Sequence, residues 1–71
     1  MSTEYEYWQH RATGDVWAVK LRDGAAVGAV EIAQRDVHEE ILPYLSYRPA
    51  AASELDKRRD DFRTINGRKV A

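Results

Sequence analysis

The sequence predicts an α+β fold, a three-stranded antiparallel β-meander followed by a short helix and a longer C-terminal helix. Three observations carry this reading. Residues 4–33 alternate apolar and polar side chains across two turn signals, Asp36-Val37-His38-Glu39 has the form of a capping box, and apolar residues from Ala51 onward recur at helical spacing. With 71 residues and no Cys, the chain reads as one small domain held by packing alone, without a disulfide or a Cys-based zinc site.

The first turn signal is Arg11-Ala12-Thr13-Gly14-Asp15, which suits a hairpin loop from Ala12 to Gly14 with Gly14 at positive φ in a G1 bulge. Setting Arg11 against Asp15 pairs His10 with Val16, Trp8 with Ala18, Tyr7 with Val19, Glu6 with Lys20 and Glu4 with Arg22. Opposite charges then meet three times, which favours this register. The second signal, Asp23-Gly24, fits a type I′ turn and pairs Leu21 with Ala26, Val19 with Gly28 and Trp17 with Val30. Alternation then gathers Tyr5, Tyr7, Trp17, Val19, Leu21, Ala26, Val30 and Ile32 on an expected core face. On the opposite face Trp8 stands over Ala18 and Ala29 with Val16 and Val27 nearby, inside a rim of Glu4, Glu6, Lys20, Arg22 and Glu31.

The capping box starts a short helix over 36–42, which Pro43 ends. Tyr44, Leu45 and Tyr47 precede Pro49 and are expected in an extended segment lying across the sheet. A second helix is expected over about 50–65, with Pro49 suited to its first position and Asn66-Gly67 as its stop, leaving a tail at 66–71. Its stripe is Ala51, Leu55, Arg58, Phe62 and Ile65. Glu54 with Arg58, Lys57 with Asp61, and Asp60 with Arg63 are spaced for pairing on its surface. This helix could cover either sheet face.

Composition narrows the function classes. Eleven Lys and Arg against twelve Asp and Glu give a formal charge of −1, too balanced for a global pull on nucleic acid or membrane. The apolar runs are too short to span a bilayer and the first residues are polar, so a soluble, cytoplasmic protein is expected. His10 and His38 form no metal-ligand spacing, Ser2, Ser46 and Ser53 have no positioned base, and Glu39 and Glu40 point in different directions on a helix. The four glycines form no phosphate-cradling loop. The residues therefore point to no catalysis, metal, cofactor or small-molecule substrate.

An aromatic over small residues within a charged rim has the anatomy of a binding site. The expected function is a non-catalytic interaction module, a regulator or accessory subunit, that binds a partner protein or its own copy as a homodimer through Trp8, His10, Val16, Ala18 and Val27. The alternative is a small DNA-binding regulator or recombination accessory using Arg59, Arg63, Arg68 and Lys69 near the C-terminus, with Lys20 and Arg22 on the sheet. Trp17-Ala18-Val19-Lys20-Leu21-Arg22 on a middle strand resembles the DNA-binding sheets of a plant transcription-factor family and of the arm-binding domains of phage integrases. That resemblance implies a sheet that reads DNA; the helix motif of those families is missing from Asp36 to Leu42. The interleaved acids Glu54, Asp56, Asp60 and Asp61 weigh against phosphate contact.

Overall fold

The computed structural model describes the backbone of residues 2–70 and the side chains through residue 66. It has four strands, β1 (Thr3–His10), β2 (Val16–Arg22), β3 (Ala25–Ile32) and β4 (Phe62–Val70), in one antiparallel sheet of order β3-β2-β1-β4. One α-helix, α1 (Pro49–Lys57), follows the meander, and 3₁₀ turns occupy Gln34–Asp36, Glu39–Tyr44 and Arg59–Asp61. The fold is α+β, but the expected three-strand sheet with a longer C-terminal helix is corrected on both counts. The helix expected over 50–65 ends at Lys57, and its expected stop, Asn66-Gly67, lies inside β4.

The helix starts as its residues dictate and stops where the chain turns to join the sheet. Pro49 sits in its first turn, where a missing N–H is harmless, and Ala52 and Leu55 are buried with Ala51 beside them. Arg58 leaves helical geometry, and its N–H donates to the Leu55 carbonyl at 3.0 Å. The Arg59–Asp61 turn follows, and the Arg11 N–H donates to the Asp61 carbonyl at 2.9 Å, aiming the chain into β4 beside β1. Arg59 pairs with Asp56, one turn back, in place of the three expected surface pairs.

Both turns of the meander form, but the first hairpin pairs one residue away from expectation. Asp23 and Gly24 take φ of 53° and 86°, the two left-handed residues of a type I′ turn, and Gly14 takes 81°. The first loop runs from Arg11 to Gly14: the His10 N–H donates to the Asp15 carbonyl at 2.8 Å and the Gly14 N–H to the His10 carbonyl at 2.9 Å. Trp8 therefore faces Trp17, Tyr7 faces Ala18 and Glu6 faces Val19. The three opposite-charge pairs are lost, at roughly 0.2–1 kcal/mol each, whereas fully burying one large apolar side chain contributes roughly 1.5–3 kcal/mol. Packing outweighs them because apolar residues are buried on both sheet faces.

On one face Trp8, Val19, Leu21 and Ala29 pack with Ala52 and Leu55 of α1 and with Phe62. On the other, Tyr7, Val16 and Ala18 pack under Leu42, with Tyr5, Val30, Ile32, Val37, Leu45 and Tyr47 around them. The expected single core face is thus two half-cores. The short helix expected at 36–42 is replaced by the 3₁₀ turns, and neither turn carries a side-chain cap, so the capping box does not form. The Tyr7 hydroxyl explains why: it donates to the His38 carbonyl at 2.8 Å and accepts the His38 N–H at 3.2 Å, holding that residue extended between the turns. Tyr47 and Leu45 lie against the sheet as expected, and Tyr44 is exposed.

Two bulges re-phase the strands. Leu21 pairs with Ala26 but Lys20 with Gly28, so Val27 is an extra residue in β3. The expected pairs Val19:Gly28 and Trp17:Val30 give way to Val19:Ala29 and Trp17:Glu31 beyond it. In β4, Tyr7 pairs with Asn66 but Trp8 with Thr64, which makes Ile65 the extra residue.

Candidate functional site

The residues expected to form one surface are divided among four places. Trp8 is 3% exposed. Phe62 packs beside it with ring centroids 6.1 Å apart, the Arg59 guanidinium lies 5.2 Å from its ring centroid, and its indole N–H donates to Glu6 Oε1 at 2.8 Å. Val16 and Ala18 are buried on the opposite face beneath Leu42. Val27 stands in its bulge, partly exposed. His10 closes the first loop: its Nδ1 accepts the N–H groups of Ala12 and Thr13 at 3.2 Å each, and its ring meets Phe62 edge-on at 5.0 Å. The exposed Trp8 patch is corrected by the one-residue register, which turns β2 over relative to β1.

The cationic residues do not converge either. Arg59 is held between Trp8, Asp56 and the Gly24 carbonyl, to which its Nη2 donates at 3.1 Å. Arg63 directs Nε and Nη2 to Gln9 Oε1 at 3.1 and 2.8 Å. Lys20 lies level with Tyr5, and Arg63 level with Gln9, on the Tyr7 side of the sheet; that is about 13 Å apart along the strands, with β1 between them. Arg22 ends β2 at the second turn. Arg68 and Lys69 belong to the backbone of β4, and their side chains lie outside the described residues.

Two cavities border the Trp8 face. One, of about 300 Å³, lies among Glu4, Glu6, Trp8, Arg59 and Thr64. The other, of about 400 Å³ and mostly apolar, lies among His10, Trp17, Leu55, Arg58 and Phe62. Burial, reinforced by Tyr5 and then Tyr7, pushes the Tyr47 hydroxyl far above its usual range; it stays protonated and donates to the Leu42 carbonyl at 2.5 Å. Among the described residues no group of three His, Asp or Glu stands together for a metal, and no helix is long and apolar enough to cross a membrane.

The two edges of the sheet differ more than its faces do. Along β3, the Ala29 N–H donates to the Arg48 carbonyl at 3.1 Å and the Arg48 N–H returns to the Ala29 carbonyl at 3.0 Å. This closes the edge at its middle. Next to the bridge, a Cβ on Gly28 would lie 2.6 Å from the Cβ of Tyr47, so only glycine allows the chain to cross there. At the other end of the sheet, among the described residues, no strand pairs with the outer side of β4, and Arg63, Thr64 and Ile65 are all exposed. An edge strand turns alternate N–H and C=O groups outward, ready to pair with another extended chain.

The sequence reading missed this edge because Phe62 and Ile65 continue the spacing of Leu55 and Arg58. The local signal was the β-branched pair Thr64-Ile65 next to Phe62, which favours strand over helix. No family model, curated protein or solved structure matches the chain.

Proposed function

We propose that this protein is a small non-catalytic interaction module whose docking element is the outer edge of β4. The observation that carries the reading is the contrast between edges: β3 is closed by the Arg48 bridge, whereas β4 exposes Arg63, Thr64 and Ile65 at the end of the sheet. Protein sheets commonly protect their edges with bulges, charges or covering segments; β4 has a bulge at Ile65 and the charged Arg63 but, among the described residues, no covering strand, so its main-chain edge is the part of the sheet left for strand addition. Main-chain hydrogen bonds would supply affinity, while Ile65, 39% exposed, offers an apolar contact at the bulge. The DNA-binding alternative draws no support from cations that lie far apart or are already engaged within the chain.

A photo-crosslinking residue at Ile65, compared with the same residue at Val27 on the closed edge, tests the reading in cells of the native source. Adducts at 65 and none at 27 are expected. Equal labelling of both positions, or none at 65, would refute an edge-specific interaction.

A further inference from the structure

Apart from the β4 edge, we infer that the cavity beside α1 is a site for a free aromatic α-amino acid, with its ring on Trp17, Leu55 and Phe62, its ammonium at Glu54 and its carboxylate at Arg58 and His10. The cavity exists because α1 packs on β3 and leaves the neighbouring part of the Trp8 face uncovered. Trp17 stands opposite Trp8 in the register, yet Trp8 is buried and Trp17 only half-buried, so an aromatic surface remains at the flank of the helix. Ala51, Glu54, Leu55 and Arg58 fall on one side of the helix at spacings of three and four, and they line the gap opposite Trp17 and Phe62. Its volume of about 400 Å³ is within the roughly 300–1,000 Å³ of small-molecule sites, and a mostly apolar wall with a few polar groups is their usual make-up.

The polar groups on the wall select the ligand. Glu54 and Arg58 stand one turn apart, the spacing of a helix ion pair, but among the described residues neither joins an ion pair or a side-chain hydrogen bond. Both charges are therefore left for a molecule that carries the complementary two. His10 adds a neutral donor: its Nδ1 accepts from Ala12 and Thr13, so the proton of the neutral ring sits on Nε2, away from that loop. A chain terminus of another protein carries only one of the two charges, and a simple aryl acid would bring its carboxylate near Glu54 with no cation to offset it. The free amino acid carries both on one carbon beside its ring, which matches an acid and a base one turn apart over an aromatic floor.

The test titrates the isotope-labelled full chain with L-phenylalanine, with phenylpropanoate, which lacks the ammonium, and with phenethylamine, which lacks the carboxylate. NMR follows the indole N–H signals of Trp8 and Trp17 and the backbone amides of α1. L-Phenylalanine is expected to shift the Trp17 indole and the α1 amides saturably while the Trp8 indole moves less, and each truncated compound should bind about tenfold more weakly, having lost one charged partner. Glu54→Gln should abolish the preference over phenylpropanoate, and Arg58→Gln the preference over phenethylamine; both side chains are exposed, so neither change should disturb the fold. Equal affinity of the three compounds, tighter binding of either truncated one, or preferences untouched by both variants would overturn the amino-acid ligand. No saturable shift at Trp17 with any of the three would overturn the site itself and leave the β4 edge reading untouched.

Discussion

The β3 and β4 edges are made of similar strands with opposite fates. β3, Ala25–Ile32, is apolar and small-sided, with Gly28 letting Tyr47 cross within contact and Arg48 closing the hydrogen-bond ladder at Ala29. β4, Phe62–Val70, carries Arg63, Arg68 and Lys69 in its sequence; α1 packs on β3, and the Glu39–Tyr44 turn lies over the Tyr7 side of the sheet against β1 and β4, while among the described residues no strand pairs with the outer side of β4. An apolar edge invites indiscriminate pairing and is covered; a charged edge can stay open because it repels copies of itself. The difference teaches that edge protection in this chain follows side-chain character: the small-sided apolar strand is bridged, and the strand that carries the cations is not.

The strongest way to break the comparison is to remove what holds β4 from within. Trp8→Ala deletes a buried ring between Phe62 and the sheet, a loss of about 3–5 kcal/mol, comparable to the whole net stability of so small a domain. Urea or thermal unfolding by circular dichroism should find the variant largely unfolded at 25 °C; an unchanged transition would mean that Trp8 is not a core residue. Next in size, Gly28→Ala forces Tyr47 away from β3 and should cost about 1–3 kcal/mol. Amide exchange at Ala29 and Arg48 should quicken in it, leaving both edges open. Exchange there as slow as in the parent chain would show that the crossing has room to yield.

Smaller effects sharpen the contrast. Tyr47→Phe removes the hydrogen bond to Leu42 and should cost about 0.5–1.5 kcal/mol. Its pH dependence has a definite sign. Burial raises the Tyr47 pKa in the folded state above its usual 10.0, so the folded chain holds this proton more tightly than the unfolded chain. The stabilisation is complete below about pH 10 and is lost as pH rises beyond it. Comparing unfolding midpoints of the parent and Tyr47→Phe from pH 8 to 11 should show the steeper alkaline decline in the parent; parallel curves would contradict a hydroxyl held protonated by burial. Smallest of all, Ile65→Thr should change stability by no more than about 0.5 kcal/mol, since the side chain is partly exposed at a bulge. A larger loss in urea unfolding would make Ile65 a core residue and weaken its place in a docking edge.

How much of this was legible depended on whether a feature is local. Gly14 at positive φ, the Asp23-Gly24 turn and the Pro49 helix start were all readable, because a few adjacent residues set the backbone geometry there. Register was not. The charge pairs that suggested it presume one buried and one solvated face, and here Tyr7 and Trp8, adjacent in sequence, are both buried on opposite sides. β4 was hidden because its apolar residues continue a helical spacing, and its strand identity comes from pairing with β1, more than fifty residues earlier in the chain. The candidate site inherited both errors, since Trp8 reads as a surface residue only while β4 and α1 are left off that face.

Val27 shows how differently this protein should tolerate two kinds of inherited change. As the extra residue of a bulge, its side chain is partly exposed, and many replacements should pass with little effect. Loss of its codon is another matter: every residue of β3 past that point would exchange inside for outside, moving Ala29 off α1 and turning Glu31 and Val30 to each other's faces. Among natural variants of this chain, position 27 should vary freely in letter and hardly at all in length.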